Sequence, residues 1–165
     1  MDDTGLIVLR REIAADCEVA SAAANLARQR LAERTASGLE ATAFQLVRFY
    51  NAVEQAGLRL AKAFENQIDD EGGWHAELMR RLTLDIPGIR PAVFTTDDLV
   101  YMRELRGFRH LVVHAYDLLL DADRVGKLAD NAKKISEFLP ARFGAFFVAV
   151  MRALNQPEGN ASDSK

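Results

Sequence analysis

Leu9, Ile13, Cys17, Ala20, Ala24, Ala27 and Leu31 recur at steps of three and four residues, the spacing that lines one stripe of an α-helix. This pattern predicts a long helix from about Leu6 to Arg34 whose buried stripe is mostly alanine. Side chains that small fill little space, so whatever packs against them must supply bulk and can come close. Ser37 and Gly38 read as a break, and a second long helix follows from Leu39 to Ile68 with Phe44, Val47, Leu58 and Phe64 among its apolar positions. Small against large over two adjacent helices predicts an antiparallel hairpin.

The remainder of the chain continues the helical theme. DDEGG, residues 69–73, reads as a loop, Trp74 to Leu82 as a short helix, and IPGIRP, residues 86–91, as turned or extended backbone that persists to Phe94. Thr95, Thr96, Asp97 and Asp98 supply capping oxygens and negative charge for a helix running to about Tyr116. Helix resumes at Asp121, and the last segment, Ala122 to Asn155, carries an apolar stripe of Phe143, Phe146, Phe147, Val150 and Leu154. Pro140 within it predicts a kink or a split. The expected architecture is all-α: an up-and-down antiparallel bundle with two long N-terminal helices, a motif helix and a kinked C-terminal helix. It forms one domain over residues 1–156, and the small, polar PEGNASDSK ending makes 157–165 a disordered tail.

One helix departs from the usual solvated mixture of Lys and Glu. RELRGFRHLVVHAYD, residues 103–117, holds three arginines, two histidines, a tyrosine and only two acids. On a helical wheel Leu105, Phe108, Leu111, Val112 and Ala115 share the core side, while Arg103, Arg106, Arg109, His110, His114, Tyr116 and Asp117 share the opposite half. Arg109 and His114 fall near opposite edges of that polar face, so one isolated helix does not close both around a single atom. A second copy related by a two-fold axis would bring both residue types into one groove.

Composition restricts what this face acts on. With a net charge of -3 the chain is no nonspecific nucleic-acid coat, because such binding needs many cations to displace counterions, and any nucleic-acid contact must be local. Cys17, the only cysteine, permits no internal disulfide and fits a reducing compartment. No apolar run reaches the roughly 18 residues of a membrane span and the N-terminus shows no signal-peptide core, so the expected location is cytoplasmic, without a membrane partner.

Arg109, His114 and Tyr116 in RHLVVHAY resemble the R-x4-H-x-Y motif of HEPN-domain proteins of the HepT type, the ribonuclease toxins of toxin-antitoxin pairs. The likeness extends in order through FYNAVEQAGLRLAKAFEN, WHAELMRRL, PGIRPAVF and LRGFRHLVVHAYDLLLD, from about Leu39 to the start of the last helix. Often Asn or Asp follows the motif arginine in HEPN proteins; here it is His110. The resemblance implies a homodimeric helical bundle that cuts RNA rather than DNA without metal or other cofactor. It also implies the toxin role in a type VII-like pair with a nucleotidyltransferase antitoxin that adenylylates Tyr116. In this scheme Arg109 and His114 are catalytic, since a guanidinium grips phosphate oxygens and an imidazole moves protons near neutral pH. Arg103, Arg106, His110 and Asp117 line the RNA groove, and Tyr50 and Glu54, one turn apart on the second helix, brace the arginine helix.

Two other readings stand beside this one. The same face fits a noncatalytic helical dimer whose groove binds a protein or nucleotide. The i, i+4 spacing of His110 and His114, with Asp117 nearby, is also compatible with zinc.

Overall fold

The computed structural model describes residues 2–65, 74–115 and 117–155. Five helices carry the fold: α1 (Asp3–Leu31), α2 (Ala36–Glu65), α3 (Trp74–Arg81), α4 (Thr96–His114) and α5 (Ala122–Asn155). Among the described residues there is no strand, only an isolated bridge between Ile86 and Arg90. The architecture is the expected all-α bundle. No described helix is long and apolar enough to cross a membrane. The DDEGG loop, the continuation of the second helix to Ile68, Tyr116 and the C-terminal tail lie outside the described residues.

The α1 start is capped by Asp2, whose carboxylate accepts from the Gly5 amide at 2.8 Å, and Arg28 and Arg30 in its last turn oppose the helix dipole. Its alanine stripe is buried as expected: Ala20, Ala23, Ala24 and Ala27 join one core with Leu46, Phe49 and Val53 of α2. Pairings of opposite order make α1 and α2 antiparallel. The Thr42 hydroxyl reaches the Ala27 carbonyl near the turn, at 3.3 Å, while Arg59 meets Asp16 and Glu12 at 2.9 and 3.1 Å far from it.

The break between them is not at Ser37–Gly38. Helix α1 stops at Leu31, Arg34 takes a left-handed φ of 52°, and α2 has begun by Ala36. Thr35 decides this, because its hydroxyl accepts from the Gly38 amide at 3.0 Å and so caps α2 ahead of the glycine. Gly38 is needed for closeness instead: a Cβ there would lie 2.7 Å from the Arg30 carbonyl oxygen. Phe44, expected on the apolar face, is 60% exposed, since the buried stripe of α2 runs through Ala43, Leu46, Phe49, Tyr50 and Val53, with Val47, Leu58 and Phe64 at its margins.

Helix α5 lies antiparallel to α4, through Asp98–Arg142 at 3.1 Å and Glu104–Asn131 at 2.7 Å. Pro140 does not split it; the helix is continuous from Ala122 to Asn155. Burial explains the persistence. Val125, Leu128, Ala132, Ile135 and Leu139 before the proline, and Phe143, Phe146, Phe147 and Val150 after it, are all in the core, which outweighs a helix-interior proline penalty of about 3 kcal/mol. Leu154, the last residue of the expected stripe, is exposed. The start of α4 follows the sequence closely: Thr95 and Asp98 exchange hydrogen bonds between side chain and backbone in a capping box.

Buried arginine chemistry ties the 86–91 turn to the bundle. The Arg90 side chain, fully enclosed, donates from Nε to Glu65 at 2.6 Å, from Nη1 to the Leu84 and Pro91 carbonyls, and from Nη2 to the Arg81 carbonyl. Glu65 also pairs with Arg81. Gly88, with φ 76°, turns the chain so that Ile86 and Arg90 meet. Because truncating one partner strands a buried charge, Arg90→Ala is expected to destabilise the fold by about 3–5 kcal/mol, toward the lower end since Arg81 still accompanies Glu65. Urea unfolding measures this; a midpoint unchanged from wild type would show that the clamp contributes nothing net.

Candidate functional site

The capping box at Thr95 starts α4, and Leu99, Met102, Leu105 and Phe108 bury one side of it, which turns Arg103, His110 and His114 outward and leaves Arg106 and Arg109 half-buried. Beyond His114 the wheel no longer applies. Ala115 is extended, with φ -77° and ψ 132°, so the helical alignment expected between Arg109 and Tyr116 is not continued by the backbone; the side-chain position of Tyr116 lies outside the described residues. Asp117 is exposed past the helix end. The wheel also placed Leu111, Val112 and Ala115 in the core, but Leu111 and Val112 are only half-buried and Ala115 is exposed, because α4 emerges from the bundle toward its C-terminus.

Arg109 is held by α2. Its guanidinium lies 6.0 Å from the ring centroid of Tyr50, and its Nε donates to the Asn51 side-chain oxygen at 2.6 Å. This leaves both Nη groups without a hydrogen bond among the described residues, and two Nη groups are what an oxyanion pair requires. Tyr50 is fully buried, and Glu54, one turn further along α2, is buried as well. The Tyr50 hydroxyl makes no hydrogen bond of good geometry, yet it sits close enough to Glu54 to feel its carboxylate. Burial first, and then the Glu54 charge, push the phenol well above the usual tyrosine range, while Arg106 and Arg109 pull the other way. The Tyr50 phenol thus lies within electrostatic reach of one carboxylate, Glu54, and of two guanidiniums, Arg106 and Arg109.

The imidazoles of His110 and His114 stand 4.6 Å apart, tilted by 51°, and both are exposed. No hydrogen bond or ring contact joins either imidazole to the Arg109 guanidinium among the described residues, so one chain presents its arginine and histidine as separate elements of the same helix. Nor do His110, His114 and Asp117 assemble as a zinc site: no three His, Cys, Asp or Glu side chains gather as ligands among the described residues. Asp117 lies past the end of the helix that carries the two imidazoles, beyond the extended Ala115.

Sequence reasoning missed Asn51. An amide on an exposed helix position is ordinary, and only its place beside Tyr50, facing α4, gives it the role of orienting the guanidinium. It supplies an acceptor for Arg109 from another helix, where the residue next to the arginine, His110, lies tilted against His114 instead.

The buried phenol has a measurable consequence. A folded pKa above the unfolded value of about 10 gives a contribution that is complete below pH ~10 and lost as pH rises through the folded value. Cys17, pushed up to about 12 by burial and by Asp16 and Glu18, acts in the same sense. Tyr50→Phe retains Cys17, so its alkaline loss of stability should be shallower than wild type by the Tyr50 share alone. Urea unfolding between about pH 9 and pH 11 tests this; identical slopes for the two proteins would show that the Tyr50 phenol is not linked to folding through its proton.

A family model described as HepT-like protein matches residues 41–150, from early α2 to late α5, and so includes Tyr50, Asn51, Arg109 and His114. Neither a curated protein nor a solved structure matches the chain. The matched segment covers most of the bundle and the whole of the motif helix, and the chain belongs to the HepT-like family.

Proposed function

We propose that this protein is a metal-independent endoribonuclease, the toxin of a type VII-like pair, working as a homodimer. Its family is associated with ribonucleases of the HEPN toxin type. The observation that carries the reading is Arg109: braced by Tyr50, oriented by Asn51, with two Nη groups open and with exposed His114 on the same helix. In the proposed reaction the RNA 2′-oxygen attacks the neighbouring phosphorus while His114 takes its proton. The bond to the 5′-oxygen breaks and that oxygen receives a proton from the His114 of a second copy. Arg109 guanidiniums hold the nonbridging oxygens as charge builds on them. The products are a cyclic phosphate and a free 5′-hydroxyl, so the step balances without metal or oxidant.

Dimerisation is part of the proposal, because Arg109 and His114 are not brought together within one chain. Arg103, Arg106, His110 and Asp117 extend the groove. His114→Ala and Arg109→Ala should each lower cleavage by at least about a hundredfold with the fold intact. Asn51→Ala should lower turnover about tenfold, a positioning effect worth one charge-assisted hydrogen bond. His110→Ala should have the smallest effect. Product analysis for cyclic phosphate, activity in chelator and sedimentation at micromolar concentration complete the test. Full activity of a diluted monomer would overturn the composite site, and a stable dimer that cuts no RNA would favour the noncatalytic binding module.

Regulation falls on Tyr116 in this reading. The phenol oxygen would attack the α-phosphorus of ATP held by a nucleotidyltransferase antitoxin, releasing pyrophosphate and gaining AMP, whose negative charge competes with RNA near the arginines. Coexpression with such an enzyme should add AMP units to the wild-type mass and none to Tyr116→Phe, which keeps cleavage. An unmodified wild type that is nevertheless neutralised would mean inhibition by binding alone.

A further inference from the structure

Between α3 and α4 lies a cleft of about 280 Å³ floored by the buried side chains of Met79, Leu99 and Met102 and rimmed by arginine. Its lining acid, Glu77, is already paired within the rim: on α3 it accepts at 2.9 and 2.6 Å from Arg80, which lines the cleft too. Glu104 of α4 accepts from Asn131 on α5. Arg103 and Arg106 face the cleft and form no ion pair among the described residues. In a chain of net charge -3, two open guanidiniums over an apolar floor are a local exception.

The cleft adjoins the Arg109 site. Arg106 lines the cleft and also acts, with Arg109, on the Tyr50 phenol, so it belongs to both. At 1.5 Å per residue, Arg103, Arg106 and Arg109 are staggered by about 4.5 Å along the α4 axis, about 9 Å in all, a span suited to a nucleotide beside the one being cut. A volume just below the range of drug-sized pockets suits one flat base rather than a larger ligand. Methionine sulfur and leucine methyls offer a base face the polarizable surface it needs, and guanidiniums at the rim match its phosphates.

We propose that this cleft binds one unpaired nucleobase of the RNA substrate, next to the cleaved phosphate, with Arg103 and Arg106 gripping the phosphates on either side of it. The inference rests on the ribonuclease reading and deepens it: the substrate class is single-stranded RNA, since a base held in a duplex cannot enter. Arg103 and Arg106 are then binding residues of a flanking subsite, distinct from Arg109 at the reacting phosphate.

The test uses His114→Ala protein, so that RNA is bound and not cut, with a short fluorescent single strand and a blunt duplex of the same sequence. Adding Arg103→Ala or Arg106→Ala should weaken single-strand binding about tenfold and reduce the salt slope by about 0.7 for each arginine, with duplex binding unchanged. An abasic nucleotide walked along the strand should weaken binding about tenfold at a single position beside the cleavage site. Thermal melting checks the fold of each variant, and Arg103, exposed and without an ion pair, is the substitution least able to disturb it. Unchanged single-strand affinity and slope, or equal losses on duplex and single strand, would overturn the subsite. If wild type cleaves RNA while both variants cleave and bind as well as it does, the subsite falls and the ribonuclease stands. If wild type cleaves nothing while binding remains single-strand specific and dependent on Arg103, the subsite stands and the ribonuclease reading falls.

Discussion

Close approach of α1 and α2 is the constraint on which the rest of the structure depends. Alanines on α1 let the α2 backbone come near enough for Thr42 to hydrogen-bond across the interface, and Gly38 admits the Arg30 carbonyl where a Cβ would collide. The close pair leaves the large residues of α2, Leu46, Phe49 and Val53, in a continuous core that also receives α5. Dispersion falls steeply with distance, so a tight first pair gives the later helices a firm surface to pack on.

The site inherits that rigidity. Tyr50 and Asn51 are consecutive residues of α2, one turned into the core and the other toward α4, and together they hold one guanidinium by its face and by its Nε. A cation carried by a buried ring on a long, well-packed helix is more sharply positioned than one on a loop. The opposite holds for the histidines, which stand exposed at the last turns of α4 where the helix leaves the bundle. One chain thus contains a positioned cation and exposed imidazoles with no hydrogen bond between them among the described residues, which is why the proposed reaction calls on a symmetric partner.

The corner that carries α3 back toward α4 is organised differently. Residues 83–92 bury little apolar mass, with Leu84 and Ile89 exposed, and a buried arginine with its carboxylate takes that place, satisfying two backbone carbonyls of the turn and one at the end of α3. Such a cluster gives limited net stability but defines one geometry, because any displaced turn leaves a desolvated charge unmatched. It thereby helps set the separation of α3 from α4 and the width of the cleft between them.

Helix content, the alanine stripe, the capping box at Thr95 and Asp98 and the polar face of the motif helix were legible in the residues themselves, because each depends on neighbours within a few positions. Periodicity and capping are local physics. One failure of that reading is local, since Ser37–Gly38 reads as a break unless Thr35 is known to cap, and two are tertiary: Phe44 reads as core until the orientation of α2 is fixed, and Pro140 reads as a split until burial on both sides is counted. Only the tertiary structure decided that Asn51 meets Arg109 across 58 positions of chain, that Arg90 meets Glu65 across 25, and that Arg106 both lines a cleft and acts on the Tyr50 phenol. Those pairings are set by how helices dock. Docking is chosen by the summed packing of whole faces, which leaves no mark on any one residue or its near neighbours.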